Sequence, residues 1–219
     1  MARELLFSRA ENEAIRQEME RDATVVLLGE DVAGGAGRAD QGVIDAWGGP
    51  MGATKGLIQQ FGPGRVIDTP ICEMGFIGAA VGAAVTGLRP VAELMFVNFV
   101  GVALDPIMNE GAYLRYMLGG QVSVPLVIKT AIGAMGMGAA NGGGSAAQHS
   151  GSMYSMFAHI PGLKCVAPSG CSQDTSVPSV MTSPSKGSLR SVAITPAGWR
   201  RRRRPPSRRS AGRPPAAPR

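Results

Sequence analysis

A few residues in this sequence could do chemistry where they stand. Glu30 and Asp31 follow the first apolar run, Thr24-Val-Val-Leu-Leu28 with its Gly29, and Glu73 follows a second short run, Arg65-Val-Ile-Asp68. In open α/β sheets ligands gather beyond the carboxyl ends of strands. A carboxyl group placed there can exchange a proton with whatever binds. The same residues have plainer readings. A Glu in the first turn of a helix is favoured by the helix dipole, by about 0.3–1 kcal/mol, which alone accounts for Glu73. Glu30 also reads as a solvated loop acid, His149 as a loop or capping histidine, and Phe99 as a core aromatic.

Other chemistries find no support. Gly133-x-x-Gly136-x-Gly138 has the wrong order for the dinucleotide fingerprint, and neither a phosphate-binding G-x-x-x-x-G-K-[ST] loop nor a G-x-S-x-G elbow occurs. The two histidines, His149 and His159, lie ten apart with no H-E-x-x-H, so no metal constellation is read. Cys72, Cys165 and Cys171 form no paired framework.

The elements that must position these residues alternate along the chain. Ser8 and Glu11 make a capping box for a helix to Arg21. Strands are expected over 24–28, 65–68, 90–95, 125–130 and 163–167, and helices over 53–61, 73–87, 105–118 and 152–159. Glycine-rich stretches fill 32–52 and 133–144. Such alternation implies crossover connections and a largely parallel sheet. The helix from Glu73 carries Gly75, Gly78 and Gly82 at intervals of three and four. Each glycine costs about 1 kcal/mol of helix propensity. Tight packing of this helix on the sheet is the favoured reason. The alternative is a helix N-terminus facing a ligand or a partner subunit.

Charge divides the chain. Residues 1–168 carry 11 basic and 15 acidic side chains, a net of −4, whereas residues 169–219 carry 11 basic and one acidic, a net of +10. The second segment also holds 10 Ser and 8 Pro. It cannot bury enough apolar surface to offset its ordering entropy and is expected to be disordered, with a boundary near Ser169. Arg200–Arg204 with Arg208 and Arg209 could bind nucleic acid, but one aromatic, Trp199, and no folded reader accompany them, so nucleic acid is not the favoured partner. The start of the chain has no apolar core of a signal peptide. The longest apolar stretch, 74–88, contains four glycines and is shorter than the ~18 residues of a spanning helix. A soluble, cytoplasmic protein without a membrane partner is expected.

Several longer motifs carry a resemblance. Leu28-Gly-Glu-Asp-Val32, Ile67-Asp-Thr-Pro-Ile-Cys-Glu-Met-Gly-Phe-Ile-Gly-Ala-Ala-Val-Gly-Ala-Ala84, Gly87-Leu-Arg-Pro-Val-Ala-Glu-Leu-Met-Phe96, Ala147-Gln-His-Ser150 and Pro161-Gly-Leu-Lys164 stand in collinear order over residues 3–168. Together they resemble the β subunit of thiamine-diphosphate-dependent 2-oxoacid dehydrogenases, the E1 component. Asp45-Ala-Trp-Gly-Gly-Pro-Met-Gly-Ala-Thr-Lys-Gly-Leu57 is most similar to the acetoin-dehydrogenase branch. Pyruvate and branched-chain homologues stay open.

The resemblance implies a three-layer α/β fold with a mainly parallel sheet, the transketolase-like pyrimidine-binding domain. It implies thiamine diphosphate as cofactor, with Mg²⁺ held by the α subunit, since the family's Gly-Asp-Gly motif is not in this chain. Glu73 matches the family carboxyl that hydrogen-bonds the pyrimidine ring nitrogen N1′, so that the cofactor's own amino group can take the thiazolium C2 proton. Flanked by Ile71 and Phe76, Glu73 is expected to be desolvated. Phe99 matches the aromatic packed on the pyrimidine, Ile71 a residue lining that ring, and Glu30 a carboxyl close to the cofactor. His149 matches the histidine serving substrate binding and acyl transfer to lipoamide. The implied partners are an E1 α subunit, in an α2β2 heterotetramer, and the E2 lipoyl acyltransferase. The sequence departs from the family at Cys72, in place of Ser, in a longer 131–146 loop, and beyond residue 168. There the family continues into a second α/β domain, and this chain turns to Arg, Pro, Ala, Gly and Ser runs of the kind a shifted frame of GC-rich DNA produces. An inactive β-like subunit that only occupies the α partner is the other reading.

Overall fold

A computed structural model describes residues 7–34, 48–49, 51–132, 146–167 and 190–196. The glycine-rich 133–144 stretch, residues 35–47 and the arginine run lie outside the described residues.

Six strands form one sheet in the order β2-β1-β3-β4-β6-β5. They are β1 (Val25–Glu30), β2 (Val66–Thr69), β3 (Arg89–Phe96), β4 (Val127–Ile132), β5 (Leu163–Val166) and β6 (Arg190–Pro196). The first four run parallel, with Leu28 opposite Ile67, Leu27 opposite Val91 and Ala92 opposite Ile128. β6 runs antiparallel to both β4 and β5. The expected α/β class with a mainly parallel sheet is therefore present. β6 corrects the expectation that nothing after residue 168 is regular. Averaging over 51 arginine- and proline-rich residues hid Val192, Ile194 and Thr195, a short β-branched run inside Arg190–Pro196.

Alternation along β1 builds two cores and so three layers. Val25 and Leu27 face α1 (Phe7–Arg21) and α2 (Leu57–Phe61), packing with Ile15, Met19, Leu57, Ile58 and Val66. Leu28 faces the other way, into a cluster with Phe76, Ile77, Ala80, Leu94, Ile107, Leu126 and Phe157. α3 (Glu73–Val85) covers that second face through Phe76, Ile77, Ala80, Val81 and Ala84, which recur at helical spacing.

Polar side chains tie the layers. Arg65 donates to the carbonyls of Met19, Asp22 and Val25, fastening the end of α1 and the start of β1 to β2. Asn12 on α1 donates to the carbonyls of Ala53 and Lys55, both at 2.9 Å. The capping box is not formed as read. Ser8 lies inside α1, and the Glu11 carboxylate instead reaches the Lys129 ammonium at 3.3 Å. Lys129 also donates to both oxygens of the buried Glu93, at 2.6 and 2.8 Å. Burial alone would push the Lys129 ammonium down, but Glu93 and Glu11 hold it above its ordinary value.

Two helices differ from expectation. Residues 105–118 wind as a wide π-helical segment over Pro106–Ala112, followed by the single turn α4 (Leu114–Met117). Residues 152–159 form a 3₁₀ segment over Tyr154–His159. No helix of the described residues is long and apolar enough to cross a membrane.

Candidate active site

β1, β2 and β3 point the same way, so their carboxyl ends share one edge of the sheet. Glu30 is the last residue of β1 and stands opposite Thr69, the last of β2. Gly29 before it has no room for a side chain. A Cβ there would lie 2.8 Å from the Glu93 carbonyl oxygen and 3.2 Å from Val32. The glycine lets β1 run flush against β3 and delivers Glu30 to the edge. The turn after it is fixed by Ala33 N–H donating to Asp68 Oδ1 at 2.6 Å and by Thr54 Oγ1 donating to the Val32 carbonyl at 2.8 Å.

Three residues separate β2 from α3, and Glu73 is the first residue of that helix, half-buried. Burial pushes the Glu30 carboxyl above its ordinary value, and the charges of Glu73 and then Asp31 push it further. The structure thus brings Glu30 and Glu73 within electrostatic reach of each other. The expected apolar cover of Glu73 is not made among the described residues. Ile71 is 78% exposed and Met74 55%, while Phe76 turns into the core. Proximity in sequence suggested a flank. The helical turn sends residue 76 inward and the strand exit sends residue 71 outward.

Glycines on α3 correct the favoured packing reading. A Cβ at Gly78 or Gly82 would meet nothing within 4 Å among the described residues. Their smallness is not needed by this chain's own sheet, and they lie on the side of α3 opposite its buried residues. At Gly75 a Cβ would meet the Cys72 sulfur at 2.8 Å.

The second half of the edge lies past β3. Phe99 sits in a 3₁₀ turn, Val97–Gly101, and His149 in another, Ala147–His149. The imidazole meets Phe99 edge-on with centroids 5.3 Å apart, and Phe96, the end of β3, at 4.9 Å. Its Nδ1 is buried without a hydrogen-bond partner among the described residues, as is Thr69 Oγ1. Phe96 was missed from sequence. It closes a strand pattern and reads there as core, and only the path of the 147–149 turn makes it a neighbour of His149.

Residues 3–174 match the family model of the transketolase pyrimidine-binding domain. The chain belongs to that family. This pyrimidine-binding domain is 52% identical over 169 residues to the β subunit of acetoin:2,6-dichlorophenolindophenol oxidoreductase of Bacillus subtilis, covering 77% of this chain and 47% of the relative. The same subunit of Cupriavidus necator is 53% identical over the same shares. The pyruvate dehydrogenase E1 β subunit of Rickettsia conorii is 46% identical over 156 residues, covering 71% of this chain and 42% of that one. The chain thus spans about half the length of these relatives, and the family match ends close to the change in composition.

Proposed function

We propose that this domain is the β-type half of a thiamine-diphosphate enzyme that cleaves a carbon–carbon bond beside a carbonyl and hands the acyl unit to lipoamide on an E2 acyltransferase. The observation that carries the reading is the single sheet edge holding Glu30, Glu73, Phe99 and His149. The resemblance to acetoin and pyruvate dehydrogenase β subunits supports it.

The residues fit such a cofactor. Two carboxyl groups in mutual reach, one with its proton affinity raised, suit a ring nitrogen that must share a proton. Two buried polar atoms without partners among the described residues, Thr69 Oγ1 and His149 Nδ1, lie at the same edge. When bound, the cofactor supplies a carbon nucleophile. Glu73 would hold a proton at the pyrimidine N1′, with the Glu30 carboxyl beside it. Phe99 and Ile71 present apolar surface to the ring. His149 would offer its imidazole to the acyl unit. Magnesium and the diphosphate fall to an E1 α subunit in an α2β2 assembly, because no Gly-Asp-Gly occurs here. The exposed Ile71 and Met74 beside Glu73, and the open glycine side of α3, suit a covering subunit. The cytoplasm is the compartment that suits this role.

Calorimetry tests the reading. The chain alone is expected to bind thiamine diphosphate negligibly, and the chain with an α subunit to bind it in a Mg²⁺-dependent way. Tight Mg²⁺-dependent binding to the chain alone would overturn the shared site.

A further inference from the structure

We propose that Asn98 is a positioning residue for His149. The part of the inference that concerns acyl transfer rests on the proposed function, and the part that concerns geometry does not. No side chain among the described residues hydrogen-bonds the buried Nδ1 of His149. The ring is therefore oriented by what packs on it, Phe96 and Phe99, and by the backbone turn that carries it. The turn's own bonds are local. His149 N–H and Ser150 Oγ both donate to the Ala146 carbonyl, at 3.2 and 2.8 Å, and Ser150 N–H donates to the Ala147 carbonyl at 3.3 Å. Such bonds shape the turn but do not say where it sits.

The long-range tie is Asn98. Its Oδ1 accepts the Gly151 N–H at 2.8 Å, and its Nδ2 donates to the Ala147 carbonyl at 3.4 Å. One side chain thus grips the turn on both sides of His149. Asn98 lies between Phe96 and Phe99 in the chain, so one short segment supplies both the rings and the grip. Gly151 completes the fit. A Cβ there would lie 2.7 Å from Asn98 Oδ1 and 2.8 Å from Nδ2, so a side chain at 151 would displace the amide.

The test uses the full 219-residue chain labelled with ¹³C-histidine, because it contains only two histidines. His159, exposed at the end of its 3₁₀ segment, is the internal reference. In the native chain the His149 ring protons are expected to be displaced from those of His159 by the ring currents of Phe96 and Phe99. Asn98→Ala and Gly151→Ala should move them onto the reference while the methyl signals of the buried Ile77 and Leu94 stay in place. Asn98→Asp keeps the acceptor for Gly151 and should retain part of the displacement. With an α subunit, acyl transfer to lipoamide by Asn98→Ala should fall by about tenfold or more, the scale of a misplaced reacting group, with cofactor affinity at the native level. His149 signals unmoved in both Asn98→Ala and Gly151→Ala, with the core signals intact, would overturn the Asn98 assignment. If Asn98→Ala fails to fold, Asn98→Asp and Gly151→Ala decide it. A native assembly that binds no cofactor would overturn the proposed function and leave the spectroscopic result standing.

Discussion

The imidazole of His149 stands edge-on to the ring of Phe99, with planes 88° apart, and Phe96 meets the same imidazole at 89°. Phe96 and Phe99 are themselves edge-to-face at 6.0 Å. Three rings in mutual edge contact form a stiff corner where β3 leaves the sheet. Pairs of this kind contribute about 0.5–1.5 kcal/mol beyond the area they bury.

The two phenylalanines should separate on mutation. Phe96 is 5% exposed, and Phe96→Ala should lower the unfolding free energy by about 3–5 kcal/mol, the usual cost of emptying a core aromatic site. Phe99 is half-buried. Phe99→Ala should cost less stability and weaken thiamine diphosphate binding by the assembled protein. Urea unfolding and calorimetry measure the two effects. Equal loss of stability with unchanged affinity would place Phe99 in the core alone.

Lys129 is the sole cation of a buried cluster with Glu93 and Glu11 among the described residues. Lys129→Met leaves Glu93 buried and uncompensated, and should cost about 3–5 kcal/mol. Adding Glu93→Leu should recover much of that loss, because an apolar pair of similar volume replaces the ion pair. Additive losses in the double variant would show that the pair is not coupled in this way.

Much of this was legible in the sequence. The positions of β1 to β4, of α3 and of Glu73 at its first residue followed from apolar runs and small-residue spacing, because local pattern and burial agree there. What was not legible depends on chain paths. Ser8 lost its cap role because α1 already includes Phe7 and Glu11 found a stronger partner in Lys129, over a hundred residues away. Gly78 and Gly82 read as packing glycines but have no neighbour for a side chain among the described residues. Phe96 and Asn98 gained their neighbours only through the return of residues 146–151 to the end of β3.

Acidity at the sheet edge has a pH signature. The folded-state pKa of Glu30 is raised by burial and by Glu73 and Asp31. Its protonated form is therefore favoured by folding. That contribution is fully present below the ordinary carboxylate range, about pH 4, and is lost as pH rises through the folded-state value. Glu30→Gln should accordingly raise Tm relative to the native chain at neutral pH, with the gain shrinking toward pH 4. A Tm lowered by Glu30→Gln at neutral pH would contradict the sign.

Gly29 should tolerate nothing larger. Gly29→Ala places a Cβ 2.8 Å from the Glu93 carbonyl and 2.9 Å from its Cβ. The strands must part, at a cost of about 1–3 kcal/mol for overpacking. The turn carrying Glu30 should shift with them, so cofactor affinity of the assembled protein falls as well. Thermal melts with calorimetry check both, and an unchanged melt would show that β1 and β3 can separate freely.

In the proposed function, the Glu73 carboxyl holds a proton on the cofactor's pyrimidine ring. The most direct measurement is the rate of C2 hydrogen–deuterium exchange of thiamine diphosphate bound to the chain with an α subunit, native against Glu73→Ala. The rate should fall by about 10²–10⁴-fold, the range for removing a positioned proton-transfer group. An exchange rate in Glu73→Ala close to the native one would contradict it.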